Sequence, residues 1–445
     1  MAPRREYLNL VLFDRPSGWA DKQPAHGSTP SSAFARIVEF AQQAERARLD
    51  AFFKADFLGF DKNNIINDPS LLGEPLAVSA ALAAVTERIG LVVTASTSFF
   101  EPYNVARQIA TLHNVSGGRA GWNAVTSFNG EVNFGPNVLF APAERYARAT
   151  EFIDVVVKLW NSWQPDALTF TDGAAPAVDP GRIHDIEHVG KYYAVQQALD
   201  VSRLIEDLPV VFQAGASEDG IRFAARFGEA VFVATPDLSH ARSYYESLKA
   251  LVIAHGRHPD SLRVLPGIRT YIADTEEEAR AEYEEAFAEP NYYAARRKFV
   301  QREAPTLVLD DLDLDDVIPI DRIPSRELMA TNHRRVSRGL LLRDLVTEID
   351  GVTVRQFLQR IKGSGHLDVV GTAEQVADVF AEWFAVRASD GFTLHGGNSF
   401  DRFTGEVIPL LQDKGLVRRE YEAQTLRQNL GLEPYHLGLA ADLAR

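Results

Sequence analysis

The sequence predicts an α/β protein, a single (β/α)8 TIM barrel over residues 1–445 with an insertion before the last βα unit and a C-terminal helical tail. Short apolar segments alternate with amphipathic helical segments along most of the chain, without the pattern of antiparallel hairpins. The apolar segments are continuous runs of Val, Ile, Leu and Phe, which is typical of parallel strands buried on both faces. A length of 445 residues fits one large barrel with insertions.

Each predicted strand is a short apolar run that ends at polar or turn-forming residues. The runs are 7–13, 51–55, 89–95, 120–125, 210–212, 230–234, 264–273 and 391–395. The predicted helices place apolar residues three and four positions apart, as Phe34, Ile37, Val38 and Ala41 do in the first of them. These helices span 29–48, 76–85, 103–113, 142–163, 218–227, 241–254, 275–288, 372–386 and 400–414.

The βα alternation is interrupted between residues 289 and 365, where no strand–helix pair can be drawn and only 340–361 reads as one helix. We interpret 289–365 as an insertion. Because long insertions in such barrels often cover the functional site, we expect it to act as a lid. Residues 415–445 form an amphipathic, polar tail, which we expect on the outside of the barrel or against a second subunit.

Composition excludes several classes of function. Hydrophobic residues make up 46% of the chain and charged residues 24%, which is a globular profile. No apolar run approaches the roughly 20 residues of a membrane-spanning helix, and the first apolar run ends at Asp14 without a cleavage site, so we read it as a strand and not as a signal peptide. The absence of cysteine excludes disulfides and thiolate chemistry and suits a cytoplasmic location. A net charge of −15 without a basic cluster argues against nucleic-acid binding.

The stretch 208–235 predicts a phosphate site. A buried strand at 210–212 is followed by a turn of small residues at 213–217, in which Gly215 can adopt backbone angles that a Cβ would forbid. Ser217 is placed to cap the next helix, so the turn presents free backbone amides at a helix N-terminus. The alternative is an ordinary βα turn capped by serine.

Polar residues follow the other strands, at the end of the barrel where ligands bind in this fold. They are Asp56, Thr97, Asn123, Ser127 and His395. No His/Asp/Glu cluster has metal-binding spacing, since His184 and His188 lie in a loop-and-strand pattern and not on a helix, so we predict no metal site. Neutral donors beside a phosphate site suit an organic cofactor such as FMN. Turn chemistry at strand ends is the alternative for Thr97, Asn123 and Ser127.

Six segments match one known family in order. They are LAAVTERIGLVVTASTSFFEPYNVARQIATLHNVSGGRAGWNAVTS (82–127), ERYARATEFIDVVVKLWNSW (144–163), IHDIEHVGKYYAV (183–195), VVFQAGASEDGIRFAARFGEAVF (210–232), GHLDVVGTAEQVADVFAEWF (365–384) and GLVRREYEAQTLRQNLGL (415–432). They resemble the flavin-dependent monooxygenases of the bacterial luciferase-like superfamily, in the branch that holds nitrilotriacetate, EDTA and dibenzothiophene sulfone monooxygenases. The resemblance implies a homodimer or homotetramer that takes reduced FMN (FMNH2) from a separate NAD(P)H:flavin reductase. With O2 it would oxidise a small organic substrate through a flavin C4a-(hydro)peroxide, by C–N or C–S bond cleavage or a related oxygenation.

The resemblance also assigns roles to residues. Asp56 matches a carboxylate near the flavin ring, Thr97 and Asn123 match ring contacts, and the phosphate contacts match the set Tyr146, Ala216 and Ser217. Many relatives carry a histidine where this chain has Pro142, so the phosphate site departs from the family pattern. The substrate stays open.

Two histidines are candidates for proton transfer. His333 lies in the insertion beside Arg334 and Arg335, which favour a neutral imidazole, although a surface histidine is the alternative. His395, at the end of the last strand, is the second candidate. Two rival functions also stay open: an F420-dependent oxidoreductase of the same fold, and a non-catalytic flavin-binding protein.

Overall fold

The computed structural model describes residues 7–14, 30–59, 73–127, 130–135, 140–170, 175–215, 217–287, 291–330, 336–361 and 365–433. Eight parallel strands, β1 to β8, pair in chain order, and β8 pairs with β1 to close the sheet. Their bounds are Asn9–Phe13, Ala51–Lys54, Gly90–Ser96, Ala120–Val125, Val210–Ala214, Ala230–Val233, Arg263–Ile272 and Gly391–Gly397. The predicted (β/α)8 barrel is confirmed.

Helices surround this barrel. They are Pro30–Arg46, Pro75–Ala83, Pro102–Val115, Pro142–Trp160, Glu218–Phe227, Leu238–Ala254, Glu276–Ala286 and Ala373–Ala385, followed by Phe400–Arg402, which continues through the π-turn Phe403–Val407 into Ile408–Asp413. Proline at the first helical position or a Ser, Thr or Asp cap begins most of them, as in soluble helices generally. Two short hairpins, Leu168–Thr169 with Ala177–Val178 and His188–Val189 with Ala194–Val195, precede β5. Within the described ranges, no helix has the length and apolar character needed to cross a membrane.

Successive residues of each strand point to opposite faces, so the barrel has two apolar layers. One set faces outward into the core beneath the helices and includes Leu12, Phe52 and Trp122. The other faces the barrel interior and includes Val11, Phe53, Val92, Phe212 and Leu265. Continuous apolar strands are required because both faces are buried.

The insertion lies between the helix Glu276–Ala286 and a short strand, Leu367–Gly371, which pairs with the carboxyl half of β7. Its helices are Asn291–Glu303, Arg326–Ala330, Val336–Thr347 and Val354–Arg360. Val300, Leu342 and Phe357 belong to a separate hydrophobic core that the insertion forms by itself. The prediction of one helix over 340–361 was wrong, because Gly351 adopts a φ of +66° and breaks the helical run.

The described part of the tail lies across the amino-terminal end of the barrel and not on its outer wall, which corrects the expected position. Leu426 and Leu430 are fully buried in the interior cluster. A Cβ at Gly90 of β3 would overlap Leu426 Cδ1, so this glycine leaves the space that the tail fills. Polar residues in the tail misled the sequence interpretation because their charges are paired inside the protein.

Two buried ion pairs fix the tail to the barrel. Arg427 donates to both carboxylate oxygens of Glu229 at 2.6 and 2.8 Å, and Arg418 donates to Asp50 at 2.7 Å. The same carboxylates accept backbone amides of the barrel: Val211 N at 3.0 Å for Glu229, and Leu10 N at 2.7 Å for Asp50. Each pair therefore joins the tail to the start of two neighbouring strands.

Replacing Arg427 with alanine is expected to destabilise the protein strongly, because the buried Glu229 carboxylate then loses its counter-charge. Removing one partner of a buried ion pair costs ~3–5 kcal/mol. Arg419→Ala is the matched control, since its pair with Asp413 is 65% and 70% exposed and exposed pairs contribute about 0–1 kcal/mol. Urea denaturation followed by circular dichroism measures both. Equal midpoints for the two variants would show that the tail does not hold the barrel together.

Candidate active site

Neutral polar groups line the carboxyl end of β3 and β4. Thr94 and Asn123 occupy paired positions on these strands, and Asn123 Nδ2 donates to Thr94 Oγ1 at 2.9 Å. Thr97 donates through its backbone amide and its hydroxyl to Val125 O, at 2.9 and 3.0 Å. The Thr97 hydroxyl thus fixes the strand-end turn, while its oxygen can still accept a hydrogen bond. Ser127 lies half-buried two residues beyond β4.

A second group forms where β5 leads into its helix. Ser217 caps the helix Glu218–Phe227 and accepts from Gly220 N at 3.1 Å, as the sequence predicts. The Tyr146 hydroxyl lies 3.4 Å from Ser217 Oγ. A Cβ at Gly220 would stand 3.0 Å from the Tyr146 hydroxyl oxygen and 3.1 Å from Ser217 Oγ, so a residue without a side chain keeps this pocket open. We call Tyr146, Ser217 and Gly220 the cradle.

A buried tyrosine, Tyr244, fixes the turn before Ser217. Tyr244 donates its hydroxyl to Gly215 O at 3.1 Å, and burial raises the pKa of this tyrosine. The stated reason for glycine at 215 was wrong, because its φ lies outside the left-handed region. A Cβ there would instead come within 2.8 Å of Gln213 Nε2, so the end of this side chain would have to shift. Ala216, the predicted phosphate contact, lies outside the described residues.

Pro142 stands at the first position of the helix that carries Tyr146. Proline suits this position, because its fixed φ matches the helix and its missing N–H would have no intrahelical partner there. The residue that departs from the family pattern is therefore well placed as a helix start, one turn before Tyr146.

Asp56 follows β2 by two residues and is half-buried. Burial raises its pKa from 3.8 to about 6, and the negative charge of Glu74 acts in the same direction, whereas the charge of Lys54 opposes both. A carboxyl group with this pKa can hold or release a proton near neutral pH.

Aromatic rings fill the interior of the barrel just below its mouth. Phe13, Phe53, Phe212 and Phe232 come from β1, β2, β5 and β6, and His395 comes from β8. The Phe13 and His395 rings stack with centroids 4.6 Å apart, and Phe13 stacks on Phe53 at 5.5 Å. We call these rings, with His366, the aromatic floor.

His366 enters the floor from a different part of the chain. It directly follows the insertion, is 7% exposed, and stacks on Phe232 at 5.4 Å and on His395 at 4.6 Å, while these two rings are 6.1 Å from each other. A Cβ at Gly267 of β7 would overlap its Nδ1 atom. His366 therefore occupies the place that a β7 side chain would otherwise take.

The structure separates the predicted residues into groups. Tyr146 meets Ser217 in the cradle, Thr97 and Asn123 lie on the β3–β4 side, and His395 lies across the barrel in the floor. His333 lies outside the described residues. His188 bonds to Glu151 at 3.2 Å and His184 to Gln164 at 2.9 Å, and within the described part of the chain no cluster of His, Cys, Asp or Glu could hold a metal.

Sequence reasoning missed His366 and Tyr244. Tyr244 lies within a predicted helix, where a tyrosine indicates only an amphipathic surface. His366 shows no local signal at all, because its place in the floor depends on Gly267, which is far away in sequence.

The described residues fit a flavin phosphate and ring edge. Asn123 and Gln213 are each 3% exposed, and their side-chain oxygens have no hydrogen-bond partner among the residues that the structure describes. A buried amide oxygen without a partner is costly, so both indicate a missing donor. The cradle adds hydroxyls at a helix N-terminus, where the helix dipole favours an anion.

Known proteins resemble the chain over nearly its full length. The sequence profile of the luciferase-like monooxygenase family matches residues 18–390. The chain is 36% identical to the N-acetyl-S-(2-succino)cysteine monooxygenase of Bacillus subtilis (strain 168), over 97% of this chain and 98% of the relative. It is 37% identical to nitrilotriacetate monooxygenase component A of Aminobacter aminovorans, over 93% of each. A crystal structure of riboflavin lyase with modified FMN and riboflavin superposes with a TM-score of 0.80 at 29% identity, covering 98% of this chain and 99% of the other.

These matches confirm the resemblance that the six sequence segments indicate. Both curated relatives are monooxygenases, and they align with this chain almost from end to end. The closed parallel barrel agrees with the same assignment. The chain therefore belongs to the luciferase-like monooxygenase family and is a flavin-dependent monooxygenase.

Proposed function

We propose that this monooxygenase is the oxygenase component of a two-component system that uses reduced FMN and O2 to oxidise a small organic substrate. A separate NAD(P)H:flavin reductase supplies the reduced FMN. The oxidation cleaves a C–N or C–S bond or is a related oxygenation, and the chain acts as a homodimer or homotetramer. The observation that carries the proposal is the cradle at a helix N-terminus together with the unpartnered, buried Asn123 oxygen at the same barrel mouth.

In this proposal the cradle binds the FMN phosphate. Ser217 and Tyr146 donate hydroxyl hydrogen bonds, and the backbone amides at the start of the helix add to them. Gly215 belongs to the turn beside the phosphate, and Ala216 stays a proposed phosphate contact from the family resemblance. Glu218 does not oppose this binding strongly, because its exposed carboxylate is bonded to Arg222 at 2.5 Å.

Groups at the ends of β2, β3 and β4 would hold the flavin ring. Asn123 Oδ1 would accept a ring N–H, which would satisfy its buried oxygen, and Thr97 and Ser127 would contact the ring edge. Asp56 is the titratable group on this side, with a pKa of about 6. Its protonated form would donate a hydrogen bond to an electron-rich reduced ring, and its ionised form would repel that ring.

Bound reduced FMN supplies the electrons with which O2 is activated and one oxygen atom reaches the substrate. The chain orients cofactor and substrate and excludes water from the mouth. Phe13 and Phe232 present apolar ring faces, and His395 holds or moves a proton at a ring nitrogen beside the substrate. His333 is the other proposed proton carrier.

Two rival functions lead to different measurements. An F420-dependent oxidoreductase would bind the deazaflavin F420, which a fluorescence titration detects. A non-catalytic flavin-binding protein would bind FMN without forming product. The two curated relatives reported above favour the monooxygenase, since both are monooxygenases and this chain aligns with nearly the whole length of each.

The isolated chain is expected to consume no NADH and to bind reduced FMN more tightly than oxidised FMN. The chain is expected not to consume NADH because its sequence lacks a dinucleotide-binding fingerprint. NADH absorbance with and without an added flavin reductase, and anaerobic FMN titration, provide the measurements. Steady NADH oxidation by the chain alone would rule out a separate reductase as the source of electrons.

Ser217→Asp is expected to weaken FMN binding at least roughly tenfold, because a carboxylate replaces a hydroxyl donor beside the phosphate. Aspartate is itself a good cap, as Asp237 shows for the helix Leu238–Ala254, so the fold is retained. Thr372→Asp makes the same change at the helix Ala373–Ala385, away from the cradle, and serves as the control. Fluorescence titration measures both affinities. Equal FMN affinity in the two variants would place the phosphate elsewhere.

Asp56 is expected to make reduced-FMN affinity fall as pH rises. Its folded pKa, about 6, lies above the ordinary 3.8, so the proton is bound more tightly in the fold. Any stabilisation from the protonated form is complete below pH 4 and is lost as pH rises through about 6. The affinity ratio of the parent to Asp56→Asn should fall by about threefold to tenfold across this window. Anaerobic titration measures the ratio, which cancels the ionisation of the FMN phosphate itself. A ratio independent of pH would remove Asp56 from the ring site.

A further inference from the structure

The aromatic floor offers a surface that FMN contacts at the ends of β2 to β5 would leave open. Its partly exposed rings come from β1, β6 and β8, on the opposite side of the barrel from Asn123 on β4. Phe53 and Phe212 are buried beneath, whereas Phe13, Phe232 and His395 are partly exposed. These three rings are therefore the part of the floor that a ligand can touch.

His395 faces the interior because of the strand register. Thr393 pairs with Val11, an interior residue, and His395 lies two positions further along β8. The pairing with β7 shifts register at this point, between Ile268 and Arg269. Gly396 and Gly397 follow with φ values of 148° and 159°, which side chains rarely adopt. His395 is thus the last side chain that β8 presents to the floor.

His366 is too deeply buried to contact a ligand directly, unlike the three partly exposed rings. It is 7% exposed, lies against Gly267, and contacts both Phe232 and His395, whose ring centroids are 6.1 Å from each other. Together with Phe13, its ring therefore limits where the His395 ring can lie.

The charged groups near the floor, Arg269, Asp368 and Lys54, form ion pairs of their own. Arg269 donates to both oxygens of Asp368 at 2.7 Å, and Tyr283 donates to the same carboxylate at 3.0 Å. Lys54 is paired with Asp14. Neither the Asp368 carboxylate nor the Lys54 ammonium group therefore competes with His395 for a ligand on the floor.

We propose that the floor is a substrate subsite for an aromatic carboxylate, in which the ring lies on Phe13 and Phe232, His395 binds the carboxylate, and His366 positions His395. Aromatic rings stack favourably on phenylalanine faces. An imidazole is the group on these rings that donates a hydrogen bond or carries a positive charge, and either favours a carboxylate. The substrate class rests on the proposed monooxygenase function, but the binding site can be tested apart from it.

The test uses benzoate and benzyl alcohol as probes on the FMN-saturated protein, with dissociation constants from ligand-observed NMR. The parent is expected to bind benzoate at least tenfold more tightly than benzyl alcohol. His395→Phe should weaken benzoate at least tenfold and leave benzyl alcohol within about threefold, since the ring surface remains. His255→Phe, at an exposed histidine after the helix Leu238–Ala254, is the matched control and should change neither constant. Equal binding of the two probes by the parent, or unchanged benzoate affinity in His395→Phe, overturns the subsite.

The positioning role of His366 has its own measurement, a double-mutant cycle. His366→Ala removes the stacked ring and should weaken benzoate several-fold in the parent, but have no effect when His395 is already phenylalanine. Additive losses would mean that His366 contacts the ligand itself, and no loss in either background would mean that it does not position His395. His366→Phe keeps a stacked ring and should restore benzoate binding to the parental value, as positioning through ring contact requires.

The outcomes separate this inference from the proposed function. If the chain binds neither reduced nor oxidised FMN but the benzoate preference persists in its absence, the monooxygenase proposal fails and the subsite stands. If the parent and the histidine variants all bind FMN with the same affinity, but the parent does not prefer benzoate to benzyl alcohol, only the subsite is ruled out.

Discussion

Closure of the eight-stranded sheet is the constraint on which the rest of the molecule depends. Once β8 pairs with β1, the register decides which residue of every strand points inward. The interior has no room for water-sized gaps, so an inward glycine must be filled from elsewhere. Gly267 is filled by His366 near the mouth, and Gly121 is packed by Val92, Phe212 and Leu426 at the other end.

The contacts of His366 with Gly267 and of Leu426 with Gly121 explain why segments outside the barrel contribute to the packing of its interior. Leu426 belongs to the tail and His366 follows the insertion, so each segment inserts a side chain at one end of the same interior. At the amino-terminal end the inserted residues are fixed by buried ion pairs, including the pair of Arg427 with Glu229. At the mouth, stacked rings and neutral donors lie beside the Lys54–Asp14 and Arg269–Asp368 ion pairs. The mouth is thus the end at which uncharged groups that suit ligand binding are gathered, as expected for this fold.

The sequence predicted those features of the fold that depend on a few neighbouring residues. The strands, most helices and the Ser217 cap follow from apolar periodicity and from capping chemistry, which depend on a few neighbouring residues. The tail was misplaced because its arginines resemble a solvated surface until their buried partners, such as Glu229, are known. His366 could not be found, because stacking on His395 requires a register between distant strands. Gly215 was selected for the wrong reason, since a glycine in a turn leaves the same sequence signature whether or not its φ is positive.

The insertion influences the site through its end as well as through any cover it provides. His366 is the first buried imidazole after it, and the short strand that begins at the next residue pairs with β7 from Ile268 onward. A shift of the insertion that moved this strand would move His366, and the stacked His395 ring would have to follow because the floor is close-packed. Changes in the insertion can therefore alter which substrate fits the floor while leaving the cradle, which is built on β5 and its helix, unchanged. In the proposed function, cofactor binding and substrate choice therefore belong to different parts of one barrel mouth.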